Sequence, residues 1–197
     1  MGERWPLAVG LVAGFAALAA GFDFGSTPVE DWQLAARYTA RAGFPLLILA
    51  YIARPLHQLR PSGFSKAILA RRKWIGLGFA FSHTIHFVAL VTFFRVSGTA
   101  PEPVTVIFGG FAYVLLWAMA LTSTAAAQRA MGRWWKRLHR TGIHYLWFIF
   151  AQSYVGRIFD PERMEIGLVF APLAFAAAGI RLAAWLKSPR KREALLA

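Results

Sequence analysis

The sequence predicts an all-α integral membrane protein: a six-helix transmembrane bundle with N- and C-termini cytoplasmic. Three observations carry this. Of 197 residues 57% are hydrophobic, with a mean hydropathy of +0.47, more apolar surface than a water-soluble domain of this length can hide. The charged residues gather in short clusters between long apolar runs rather than along amphipathic faces, as in a chain embedded in a bilayer. The sign of those clusters alternates along the chain, and that sets the orientation.

A hydrocarbon core about 30 Å thick needs roughly 20 apolar residues of helix. Six stretches qualify: 5–22, 36–55, 74–95, 104–124, 138–157 and 166–186. The first begins at Trp5 and reads as a retained helix, because no small-residue cleavage site followed by a soluble domain is present. The second and sixth contain Pro45 and Pro172, which membrane helices tolerate when neighbours satisfy the freed carbonyls. Pro103 directly precedes the fourth, where its missing N–H costs little. The second and fifth are the most polar, each carrying Arg or His. Small residues at 10–20 and 174–179 suit close helix packing. With no repeat and no low-complexity linker, residues 1–197 read as a single transmembrane domain.

Loops 23–35, 96–103 and 158–165 hold seven of the nine acidic residues. The intervening segments hold Arg54, Arg60, Lys66, Arg71, Arg72 and Lys73, then Arg129, Arg133, Lys136, Arg137 and Arg140, with Lys187, Arg190, Lys191 and Arg192 in the tail. Basic segments stay cytoplasmic, so both termini lie inside and the number of spans is even. The net charge of +13 sits beside apolar spans, and therefore implies anionic lipid rather than nucleic acid as its partner. Trp5, Trp32, Trp74, Trp134 and Trp135 fall near span ends as an interfacial belt. The absence of cysteine excludes disulfides, thiolate zinc sites, iron–sulfur clusters and a thiol nucleophile.

Ionisable side chains at membrane depth are costly and point to function. His83 and His86 lie about 10 and 13 residues into the third span and share one helix face. His139 and His144 open the fifth. Because both spans run outward, His86 should lie level with Gln152, His139 with Trp74, and His144 with Gly78 or Phe79. Imidazoles facing each other between helices are a means of holding a haem iron; the bland alternative is that each bonds a neighbouring helix. Gly76 and Gly78 admit either a flat macrocycle or close helix packing. Arg41 is placed either to pair with a haem propionate or to snorkel to the outer interface, and Arg181 to snorkel inward. Tyr145, Trp147 and Tyr154 read as packing aromatics that could border a haem. His57, beyond the second span, reads as an ordinary surface histidine.

The run Arg71-Arg72-Lys73-Trp74-Ile75-Gly76-Leu77-Gly78-Phe79, with His86 after it, resembles the third helix of the ferric-reductase-like transmembrane domain family. More closely it resembles the haem-binding membrane subunits of bacterial methionine sulfoxide reductase systems. Trp135-Lys136-Arg137-Leu138-His139-Arg140 is similar to that family's fifth-helix opening. The resemblance implies haem b between the third and fifth helices, His86 and His139 as ligands, and electrons crossing the membrane. It also implies a bacterial inner-membrane location. The family's second fifth-helix ligand falls here on Gln152, so four histidines at the family's positions are not available. The arrangement this favours is one haem b, with two as the alternative, tilted between the His83/His86 face and His144 or His139 across a depth difference of about 6–12 Å.

With no soluble segment large enough for a flavin or nicotinamide domain, electrons would come from quinol or a cytoplasmic flavoprotein and pass to a periplasmic redox partner. The chain would then be the membrane electron-transfer component of an oxidoreductase. The competing class is a haem-free small transporter or assembly partner that uses His and Arg as polar contacts.

Overall fold

In the computed structural model, which describes residues 3–188, six long helices and one short one account for nearly all of the chain. They are α1 (Trp5–Phe24), α2 (Pro28–Leu59), α3 (Gly63–Ser97), α4 (Pro103–Leu121), α5 (Ala125–Met131), α6 (Arg133–Ile158) and α7 (Met164–Leu186). Their limits follow from local chemistry. The Thr27 side chain caps α2 by accepting from the Glu30 amide at 3.2 Å, and Pro28 occupies the first turn, where no amide is needed. Ser62 and Ser65 form a reciprocal capping box at the start of α3, and Gly98 ends that helix at φ +66°, a left-handed conformation that suits glycine.

Three helices, α1, α3 and α7, are individually long and apolar enough to cross a membrane. The α4 segment from Thr105 with α5, bent by 108° at the break, makes a fourth candidate. The helices α2 and α6, of 32 and 26 residues, have the length but carry Arg and His along it. At 1.5 Å per residue the 35 residues of α3 extend to about 52 Å, well beyond a hydrocarbon core of about 30 Å. The basic segment expected as a loop after the second span is therefore mostly helix. Arg71, Arg72 and Lys73 ride on α3, and only residues 60–62 turn the chain. His57 sits in the last turn of α2, its Nδ1 2.9 Å from the buried Ser65 hydroxyl. Of the tail cluster, Arg190, Lys191 and Arg192 lie outside the described residues.

The helices α1, α2 and α3 pack on one another, and α2 also touches α6 and α7. Small residues set the close approaches. A Cβ on Gly10 would run into the Gly78 backbone carbonyl, and one on Gly78 into the Pro6 carbonyl, so these glycines let α1 lie directly on α3. Gly78 is thus a packing glycine, whereas a Cβ on Gly76 would meet nothing within 4 Å. Phe44, Leu47 and Leu146 are fully buried at the centre, while Ile107, Phe108, Phe111 and Val114 of α4 face outward, as a lipid-facing surface would.

Proline 55 leaves the Tyr51 carbonyl without its helical donor. Arg181 of α7 supplies one, its Nη1 donating to that carbonyl at 2.7 Å. Arg181 turns into the bundle instead of snorkelling, its half-buried guanidinium partnered there by the Tyr51 carbonyl, His144 Nε2 and the Tyr51 ring.

No Cα atom of α3 comes within 8 Å of one in α6. The two helices stand apart, with side chains and two cavities filling the space between them.

Candidate functional site

The four histidines of α3 and α6 divide between two cavities. The larger, about 1170 Å³, lies toward the α2–α3 turn and is lined by His139 and His144. Arg54, Arg72, Lys73, Lys136, Arg140 and Arg181 add six cations to its wall, and among the described residues the lining contains no carboxylate. The smaller, about 330 Å³, is lined by His83 and His86 together with Arg37, Arg41, Arg157 and Arg163. Ligand cavities commonly run about 300–1,000 Å³, so the larger has ample room for a macrocycle and the smaller is tight. The expected single site joining the His83/His86 face to His139 or His144 is not what the fold assembles, because Phe79 and Phe150, with ring centres 6.0 Å apart, stand between the two pairs.

The hydrogen bonds distinguish the histidines chemically. Thr39 donates its hydroxyl proton to the Ala35 carbonyl at 2.6 Å, so its oxygen accepts from His86 Nδ1 at 3.2 Å. The proton assigned to Nδ1 by this network leaves the His86 Nε2 lone pair free. A metal-binding imidazole is oriented in the same way, by a hydrogen bond from its other nitrogen. His139 is held in the opposite tautomer. Thr122 donates to Ala118 at 2.6 Å and accepts from His139 Nε2 at 3.2 Å, while Trp135 stacks on the ring at 4.1 Å. In His144 both nitrogens are engaged. Guanidinium can only donate, so Arg181 Nη2 uses the Nε2 lone pair at 3.2 Å, and Nδ1–H donates to the Tyr51 hydroxyl at 3.2 Å.

His83 is buried. Phe79 stacks on it at 5.2 Å and Tyr113 at 5.3 Å, and its Nδ1 has no hydrogen-bond partner. The Tyr113 hydroxyl is likewise buried and unpaired. Among the described residues no three His, Asp or Glu side chains converge into a metal cage. The donor set therefore suits a cofactor that brings its own nitrogen ligands and takes only an axial imidazole from the protein.

The profile of the ferric reductase like transmembrane component matches residues 39–152, more than half of the chain. This protein belongs to the ferric reductase-like transmembrane family. Within that family it is similar to the protein-methionine-sulfoxide reductase heme-binding subunit MsrQ of Cronobacter sakazakii, at 29% identity over 178 residues, covering 82% of this chain and 78% of the relative. No solved structure matches it. Helix composition and family together make it a multi-pass membrane protein.

The ferric reductase-like match begins at Thr39, the residue that orients His86, and ends at Gln152. Gln152 is exposed and lines neither cavity. Arg41 lines the smaller cavity, its guanidinium 5.7 Å from the Tyr38 ring centre. Gly76 opens onto the larger cavity. Tyr145 and Trp147 tie helices together, donating to the Phe108 and Ala174 carbonyls at 3.1 and 2.9 Å, while Tyr154 borders the smaller cavity.

Sequence reasoning missed Thr39, Thr122 and Tyr51, which orient the imidazoles, and Arg37, Arg157 and Arg163, which join Arg41. A threonine or tyrosine inside a span carries no local signal of its partner on another helix. The arginines do carry one, since they are cations at the acidic end of the chain's charge pattern.

Proposed function

We propose that this chain is a haem b-binding membrane electron-transfer subunit, passing electrons from quinol or a cytoplasmic flavoprotein toward an acceptor on the periplasmic side of a bacterial inner membrane. The observation that carries the reading is His86, fixed through Thr39 with its Nε2 lone pair free on the wall of a cavity between two separated helices. The unpaired His83 Nδ1 beside it, and the cavity-lining arginines available to carboxylates, fit the same group. Haem b would supply a one-electron iron couple there, with the protein setting its potential through ligand basicity and burial.

In this reading α1, α2, α3, α4, α6 and α7 form six spans of a single domain, with the basic α2–α3 and α5–α6 segments and both termini cytoplasmic. The larger cavity then faces the cytoplasm, where its cations and His139 would meet the donor or a second haem. The smaller faces outward. The name of the Cronobacter relative suggests a protein-methionine-sulfoxide reductase as acceptor.

The test is an absorption spectrum of the purified protein before and after dithionite. A Soret band that shifts on reduction is expected, and it should be lost in His86→Ala and kept in His144→Ala. A protein that purifies without haem from haem-replete cells would refute the reading.

A further inference from the structure

The larger cavity changes character along its depth. Its inner end is formed by Phe79, Ala80, Leu116, Met119 and Leu146, all buried and apolar. Phe79 and Leu146 each follow a cation of the same wall, Lys73 and Arg140, by six residues, about 9 Å of helix. Arg54, Lys136 and Arg140 are exposed at the end nearer the α2–α3 turn. The cavity is therefore apolar within and cationic at its mouth.

The cations converge. Arg54 and Arg181 both lie within electrostatic reach of Arg72, and Arg140 within reach of Arg181. Arg72 and Arg181 are fixed by backbone carbonyls, Arg72 Nε donating to Ala50 at 3.0 Å and Arg181 Nη1 to Tyr51 at 2.7 Å. These contacts position the guanidiniums without neutralising them. Among the described residues none of the six cations has a carboxylate within 4.0 Å.

A lone phosphate would answer this charge but fill little of about 1170 Å³ and leave the apolar end wet. A wholly apolar ligand would leave the cations unanswered. An anionic amphiphile satisfies both ends. Leu182 and Trp185 of α7 line the cavity and are still 55% and 50% exposed, so its α7 side is open and a lipid chain can enter there. Basic pockets between spans on the cytoplasmic side take acidic headgroups in this way.

We propose that the larger cavity is a site for one anionic phospholipid of the inner leaflet. Arg54 and Arg140 hold its phosphodiester in front of Arg72 and Arg181, and an acyl chain extends toward Phe79 and Leu146. The cytoplasmic placement rests on the topology proposed above; the site itself does not depend on haem.

The test is native mass spectrometry of the full chain, delipidated in neutral detergent and titrated with phosphatidylglycerol. One lipid should bind saturably, and more tightly than phosphatidylcholine. Arg54→Gln and Arg140→Gln should each weaken binding about tenfold, as the loss of one charge-assisted hydrogen bond of about 1.4 kcal/mol does. Arg133→Gln, equally exposed but outside the cavity, should leave it unchanged. Gly76→Phe, at a cavity-lining position where a Cβ meets nothing within 4 Å, should weaken binding without removing charge. Equal affinity for phosphatidylcholine overturns the proposal, and so does an equal loss in Arg133→Gln, which would reduce the effect to surface attraction. Unaltered binding in Gly76→Phe would place the lipid outside the cavity and also overturn it. Displacement by an equal concentration of glycerol 3-phosphate would make free phosphate the ligand. Two haems per chain with no lipid bound would give the cavity to haem, whereas lipid binding by a chain without haem upholds this site and refutes only the haem reading. The wild-type preference between the two lipids decides the first point without any variant.

Discussion

Thr39→Val tests the central contact with little change in shape. It deletes the hydroxyl that accepts from His86 Nδ1 at 3.2 Å and donates to Ala35 at 2.6 Å. The Ala35 carbonyl keeps its helical donor, so the main loss falls on the imidazole, whose N–H loses its side-chain acceptor and keeps only the Ala36 backbone nearby. Leaving a buried donor unpaired costs about 1–3 kcal/mol, and removing the outer partner of a metal-bound histidine costs about 10–100-fold in affinity, a range that corresponds to about 1.4–2.7 kcal/mol. Haem affinity, measured by titrating haem into the apoprotein in detergent, should therefore fall by about one to two orders of magnitude. The imidazole also becomes less basic without its acceptor, which should raise the reduction potential. Thr39→Ser, which keeps the oxygen, should restore both. If Thr39→Val binds haem as tightly as wild type, His86 is not held through this hydroxyl and the ligand assignment falls with it.

Three further outcomes are expected. Gly78→Ala should lower thermal stability in detergent by about 1–3 kcal/mol, because its Cβ meets the Pro6 backbone, whereas Gly76→Ala, which opens onto the larger cavity, should be neutral or slightly stabilising; equal effects would refute the packing assignment. Arg181→Met should cost about 1–3 kcal/mol by orphaning the Tyr51 carbonyl. Pro55→Ala, which returns a helical N–H, should recover most of that loss in the double variant, and strictly additive effects in a thermal-unfolding cycle would argue against the link. Gln152→His, which restores a histidine at the family's spacing, should not raise haem per chain, since that position lines neither cavity; a gain measured by pyridine haemochrome would show that α6 is turned differently.

The long helices were legible because apolar run length and charge alternation are local properties, and each of the six expected spans lies within or closely over one long helix. The extents of α2 and α3 were not, because amphipathic extensions such as 63–73 read as basic loop when only apolarity is counted. His86 could be singled out from its depth, and its register with the α6 residues near Gln152 agrees with His83 touching Phe150. What could not be read was which way each imidazole turns. That depends on Thr39 and Thr122, 47 and 17 residues away in sequence, and on a rotation of α6 that carries Gln152 away from the gap. Arg181 was misjudged for a related reason: its partner carbonyl is freed by a proline on a different helix.

The aromatic layer of Phe79, Phe150 and Phe44 between the two cavities has a consequence for cellular energetics. In the proposed topology the two cavities open toward opposite faces and would drain an ion gradient if they joined; these rings, with the fully buried Leu47 and Leu146, lie between them. In the proposed electron-transfer role, an electron crossing this layer would carry charge without a compensating proton or cation. With the cytoplasm electrically negative, the proposed outward passage would be assisted by the resting voltage, by up to about 2.3 kcal/mol per 100 mV for a full crossing.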